Sequence, residues 1–175
     1  GHRAERLASA DFQTLRIVAD RLGCSPDETV SAVERSSAER DAYFKSLRAA
    51  LQQLAEARAK LLVAAATPGV NGIRLIAQLL REENPELLLP LATELANQGS
   101  TIALLIHELT GQIVFAQSTG LGNDGAGKDL AGVLKQLLAT IPGKGGGARD
   151  FVRAKLTDAS QSTSALAHAT KLLDL

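Results

Sequence analysis

A single cysteine, Cys24, leaves the 175-residue chain without a partner for an internal disulfide and excludes a Cys-rich zinc site. A cytoplasmic protein is expected on that ground. Aromatic residues make up 3% of the chain, and Phe151 stands almost alone in its neighbourhood, so a base-stacking platform for nucleic acid is excluded. The formal net charge is zero. No field of the whole molecule can then attract a polyanion, and such binding needs a local patch. No apolar run is long enough to span a bilayer, and the first residues, Gly1-His2-Arg3-Ala4-Glu5-Arg6, do not read as a secretory signal, so no membrane partner is expected. His2, His107 and His168 share no metal-ligand spacing with one another or with Cys24, and Ser118 and Thr119 have no paired histidine. No catalytic residue, metal site or cofactor is therefore assigned to this chain. His107, in an apolar run, is read as a satisfied core histidine.

What is present is a core-forming composition, 45% hydrophobic, in an order that separates two regions. Helical sequence begins at once, as expected of a portion of a longer protein. Leu7, Phe12, Leu15, Val18 or Ala19, and Leu22 mark one face of an amphipathic helix, which Gly23 closes. Ser25-Pro26-Asp27-Glu28 is a helix start, with Ser25 as N-cap, Pro26 at the first position and Glu28 reaching back. The following helix, over 26–66, has a heptad-like seam at Val30, Val33, Ser37, Arg40, Phe44, Leu47, Leu51, Leu54, Arg58 and Leu61. At ~1.5 Å per residue it is a rod about 60 Å long. The expectation is an antiparallel helical hairpin or coiled-coil arm over 1–66. Val33, Phe44, Leu47, Leu51 and Leu54 are its candidate dimerisation residues, and a homodimer is the expected assembly.

Thr67-Pro68-Gly69-Val70-Asn71-Gly72 is a cluster of breakers and the expected linker, 67–72. Beyond it, over 73–175, the pattern predicts a strand over 73–80, a helix over 85–97, strands over 101–109 and 112–117 joined by Thr110-Gly111, and a flexible loop over 120–127. A helix over 128–139, a glycine loop, an edge strand over 151–156 and a helix over 159–173 follow. The predicted fold class is α+β, a helical arm followed by a mixed sheet covered by helices.

Two glycine-rich stretches invite a phosphate. Gly122-Asn123-Asp124-Gly125-Ala126-Gly127-Lys128-Asp129 has the spacing of a P-loop, but Asp129 stands where a hydroxyl must reach the metal, so a nucleotide-hydrolysing reading is set aside. Gly143-Lys144-Gly145-Gly146-Gly147-Ala148-Arg149-Asp150 is different. A plain turn would need one or two glycines, and a run beside Lys144 and Arg149 suggests a backbone nest for anions. From 143 to 157, Lys144, Arg149, Arg153 and Lys155 stand against Asp150 alone. Arg153 and Lys155, two apart, share a strand face. The expected nucleic-acid-binding set is Lys144, Gly145, Gly146, Gly147, Arg149, Arg153 and Lys155, touching phosphate and sugar and setting position more than sequence.

A helical arm, then an α/β region whose end reads Gly-Lys-Gly-Gly-Gly, a few residues, a phenylalanine and a basic strand, resembles the C-terminal part of alanyl-tRNA synthetases and alanyl-tRNA editing proteins. That module is the DHHA1 domain, found also in DHH-type phosphoesterases. The first four residues are similar to the Gly-x-Arg-Ala that follows the editing domain, and 73–173 to DHHA1. The resemblance implies tRNA contact, dimerisation and support for hydrolysis of mischarged tRNA at a zinc-bearing editing site absent from this chain. Two places depart from the family pattern: Pro142 replaces a further glycine, and Ala154-Lys155-Leu156 replaces a second glycine cluster.

Overall fold

The computed structural model describes residues 2–69, 72–123 and 127–173. Contacts gather the chain into two compact units, Gly1–Ala49 and Ala50–Leu175. The division falls inside the second helix, whereas the breaker cluster separates that helix from the first strand. Val70 and Asn71 of the expected linker lie outside the described residues, as does Gly1 of the amino-terminal motif.

The first unit holds α1 (His2–Leu22) and the start of α2 (Thr29–Ala65). Gly23 takes φ 66°, and the Cys24 amide donates to the Ala19 carbonyl at 3.0 Å, ending α1 as a left-handed glycine cap does. The expected start of the next helix is present as a 3-10 turn, Pro26–Glu28, with a capping box. Glu28 Oε2 accepts from the Ser25 hydroxyl at 2.7 Å and from the Ser25 amide at 3.2 Å. Those two hydrogen bonds hold the Glu28 carboxyl below its ordinary range. Among the described residues of this unit, burial is confined to Ala19, Thr29 and Ala32, close to the turn. Phe12, Leu15 and Leu22 of the expected α1 face are exposed, as are Val30, Val33 and Phe44 of the α2 seam.

In the second unit the carboxyl-terminal half of α2 buries a stripe that shares only Leu51 with the heptad seam: Leu51, Ala55 and Ala59, four apart. Gln52 donates to Glu94 at 2.7 Å, and Arg58 pairs with Glu83. The sheet then builds in order: β1 (Arg74–Leu80), a 3-10 turn and α3 (Leu88–Asn97), β2 (Thr101–His107), β3 (Gln112–Gln117), α4 (Thr119–Asn123), α5 (Leu130–Thr140), β4 (Gly143–Ala148), β5 (Phe151–Leu156) and α6 (Ser162–Leu173). Spatial order is β1-β2-β3-β5-β4. β1 and β2 are parallel, as a helical crossover requires, and the other neighbours are antiparallel.

Every residue of β2 is buried, as befits a central strand covered on both faces. Ile102, Leu104, Ile106, Ile113, Phe115, Val152 and Leu156 form one core with α5 and α6. The opposite face of β2 and β3, with Ala103, Leu105, Val114 and Ala116, is covered by α3. His107 is the satisfied core histidine expected: its Nε2 hydrogen-bonds the Glu83 carbonyl at 2.8 Å, while Nδ1 accepts the Thr110 amide at 3.2 Å. Sharing bonds this way gives the neutral Nε2–H tautomer.

Three expectations change. The glycine stretch is not a loop but strand β4, and it, not β5, is the sheet edge; the five-stranded sheet therefore has one strand more than the hydrophobic pattern predicts. The expected loop over 120–127 begins as the short helix α4. Residues 124–126 of the P-loop-like stretch lie outside the described residues; at its end the Lys128 amide donates to Gln117 Oε1 at 3.0 Å.

Candidate nucleic-acid interface

β4 contains no large apolar residue, and the ladder explains most of that. A Cβ on Gly145 would strike the backbone of Ala154 and the Arg153 carbonyl, and one on Gly147 would strike the Phe151 carbonyl and come within 2.6 Å of Val152 Cα. Gly147 also holds φ 155°, a conformation that side chains rarely adopt. On Gly143 the obstacles are Leu138 Cδ2 and the Lys155 carbonyl, both at 2.8 Å. Contrary to the expectation from sequence, close strand packing does ask for three of the glycines. Gly146 is the exception, with nothing within 4 Å of an added Cβ.

The glycines therefore do not form the expected nest. Among Gly143, Gly145, Gly146 and Gly147 only Gly147 has a positive φ, and an extended strand points successive amides to opposite edges instead of converging them.

The cations do converge, but by register. Lys144 pairs with Lys155, Gly146 with Arg153 and Ala148 with Phe151. Directly opposed residues of an antiparallel pair lie on one face, so Lys144, Lys155 and Arg153 share a face with Gly146 between them. On β5 they alternate with Val152 and Leu156, which enter the core beneath α5 and α6. The cationic face is thus the one turned away from those helices. Lys144, Arg153 and Lys155 are exposed, as is Arg149 at the β4–β5 turn. None of the four makes an ion pair among the described residues.

Asp150, the only acid in the stretch, is held elsewhere. Its carboxylate accepts from the Gln117 side-chain amide, and its carbonyl accepts from the Gln117 backbone amide at 3.0 Å. It is not spent on neutralising the neighbouring cations. Sequence reasoning missed Gln117, whose only local signal was a polar residue ending an apolar strand. It also missed Lys128, discarded with the P-loop-like stretch, although the Leu130 amide donates to the Arg149 carbonyl at 3.0 Å and so brings that stretch beside the basic turn.

Of the expected dimerisation residues, Val33, Phe44 and Leu54 are exposed, Leu47 is half-buried and Leu51 is buried. Leu51 is thereby withdrawn from any free surface. No helix among the described residues is long and apolar enough to cross a membrane.

No family model matches the sequence, and no curated protein matches it. Solved structures do. The C-Ala domain of Aquifex aeolicus alanyl-tRNA synthetase is similar at 20% identity over 58% of this chain and 87% of that one, with a TM-score of 0.46. RecJ from Thermus thermophilus is similar in its Mg2+ complex at 14% identity, over 91% of this chain and 28% of RecJ, with a TM-score of 0.52. Its Mn2+ complex gives 16% identity over 91% and 26% of the two chains and a TM-score of 0.54. The chain spans little more than a quarter of RecJ. What it shares with RecJ at such identities is the fold, in agreement with the expected α+β class.

Proposed function

We propose that this chain is the non-catalytic, tRNA-binding part of an alanyl-tRNA editing or alanyl-tRNA synthetase-like protein. In this reading tRNA phosphates lie along the β4–β5 face, and a second copy pairs through the exposed seam of α2. Hydrolysis of mischarged tRNA takes place at an editing site outside this chain, within a cytoplasmic parent. The observation that carries the reading is the face formed by Lys144, Lys155 and Arg153, three cations without ion-pair partners among the described residues, around Gly146, where open space replaces a side chain. Cations left unpaired at mutual cost are what a polyanion would neutralise. The Gly-Lys-Gly-Gly-Gly resemblance supports tRNA as that polyanion.

The test is tRNA titration at several salt concentrations, using the chain and a variant with Lys144, Arg149, Arg153 and Lys155 changed to alanine. Each lost phosphate contact should flatten the log K against log salt slope by about 0.7–0.9. Unchanged affinity in the four-alanine variant would overturn the reading. A second reading, a substrate-binding part of a DHH-type phosphoesterase, is favoured by the cavity of about 390 Å³ beside Gly145 and Gly146, walled by Leu134 and Leu138 of α5. Small-molecule sites have that size. A short oligonucleotide binding there more tightly than tRNA would select it.

A further inference from the structure

Gln117 is 2% exposed and ends β3 with every polar side-chain atom engaged. Its Nε2 donates to the Lys128 carbonyl at 2.8 Å and to the Asp150 carboxylate, while Oε1 accepts the Lys128 amide. One buried amide thus holds two segments 22 residues apart in sequence, the start of α5 and the β4–β5 turn. The Leu130 amide to Arg149 carbonyl bond closes the same junction. Gly127 must be glycine here, because a Cβ would come within 2.8 Å of the Leu121 carbonyl and 3.1 Å of Gln117 Oε1.

We infer that Gln117 is a positioning residue that locks the Lys128 segment against the Arg149–Asp150 turn, making Lys128 and Arg149 one corner that contacts phosphate at the end of the β4–β5 face. This rests on the polyanion-binding reading for what the corner serves. Of the two acids at this junction, Asp150 is bound by Gln117, while Asp129 is exposed at the start of α5 without a side-chain cap hydrogen bond. A neutral amide suits the clamp: it satisfies a donor, an acceptor and a carboxylate at once without adding charge beside two cations.

The experiment follows backbone amide NMR shifts while inorganic pyrophosphate is titrated into the full chain, with tRNA titrated in parallel. Lys128, Leu130 and Arg149 should move together with one dissociation constant. Lys128→Ala and Arg149→Ala should each raise that constant about three- to tenfold, the effect of one lost charge-assisted contact. Gln117→Glu, which keeps an acceptor for the Lys128 amide but loses both donations, should uncouple the Lys128 and Arg149 shifts. Concerted shifts in Gln117→Glu, a still Lys128 amide in the unaltered chain, or no shift at all would each overturn the inference. Concerted pyrophosphate shifts without tRNA binding would sink the tRNA reading alone. The reverse, tRNA binding indifferent to Lys128→Ala with Lys128 unmoved by pyrophosphate, would sink the corner alone.

Discussion

Lys144 on β4 stands directly across the ladder from Lys155 on β5, and the next ladder partner of Lys155 is the uncharged Gln112 of β3. Like charges so placed destabilise a sheet. Lys155→Glu should therefore stabilise the fold by ~0.2–1 kcal/mol, read by thermal melting, while weakening polyanion binding. A variant that melts lower would show that the opposed lysines are not in conflict.

The glycines of β4 should divide by position. Gly145→Ala and Gly147→Ala each drive a Cβ into the β5 backbone and should cost on the order of 1–3 kcal/mol, as strained backbone does. Gly146→Ala meets nothing and should stay within ~0.5 kcal/mol of the unaltered chain. Its expected effect is on RNA affinity, so denaturant titration and RNA titration of the same three variants separate packing from contact.

Arg58 and Glu83 fix α2 to the segment after β1. Burial alone would raise the Glu83 carboxyl, but the Arg58 hydrogen bond and charge, with backbone donors, outweigh it and leave it lowered. A carboxyl lowered in the folded state stabilises fully above its unfolded pKa, about 4.3, and that contribution disappears as pH falls through the folded value. Stability against pH should therefore lose a step in the acid range in Glu83→Gln. Identical acid limbs would show that the pair contributes nothing.

Along α2 the two faces should behave oppositely. Leu51→Ala empties a buried position and should destabilise by ~2–5 kcal/mol. Phe44→Glu alters an exposed one, so melting of the unpaired chain should hold while any dimer mass in light scattering falls to that of one chain. Retention of the dimer mass would remove the seam from the interface.

Much of the fold is legible in the sequence. The capping box at Ser25 and Glu28, the glycine ends of helices, the continuous apolar run of β3 and the helical faces of α5 and α6 rest on local chemistry, and their elements appear where that chemistry puts them. The basic residues of the candidate interface were equally visible as residues. β4 was not, because strand recognition relies on alternating side chains and a glycine run has none to alternate.

By itself, then, the sequence determined the longer helices, the apolar strands and which cations are available, though not the short helix α4. Tertiary structure alone decided that Gly143–Ala148 pairs on the outside of β5, that Lys144 meets Lys155, and that Gln117 joins the Lys128 segment to Arg149. The reason is physical: capping and periodicity act over a few residues, whereas register and a buried amide's partners are set only when distant segments compete for the same hydrogen bonds.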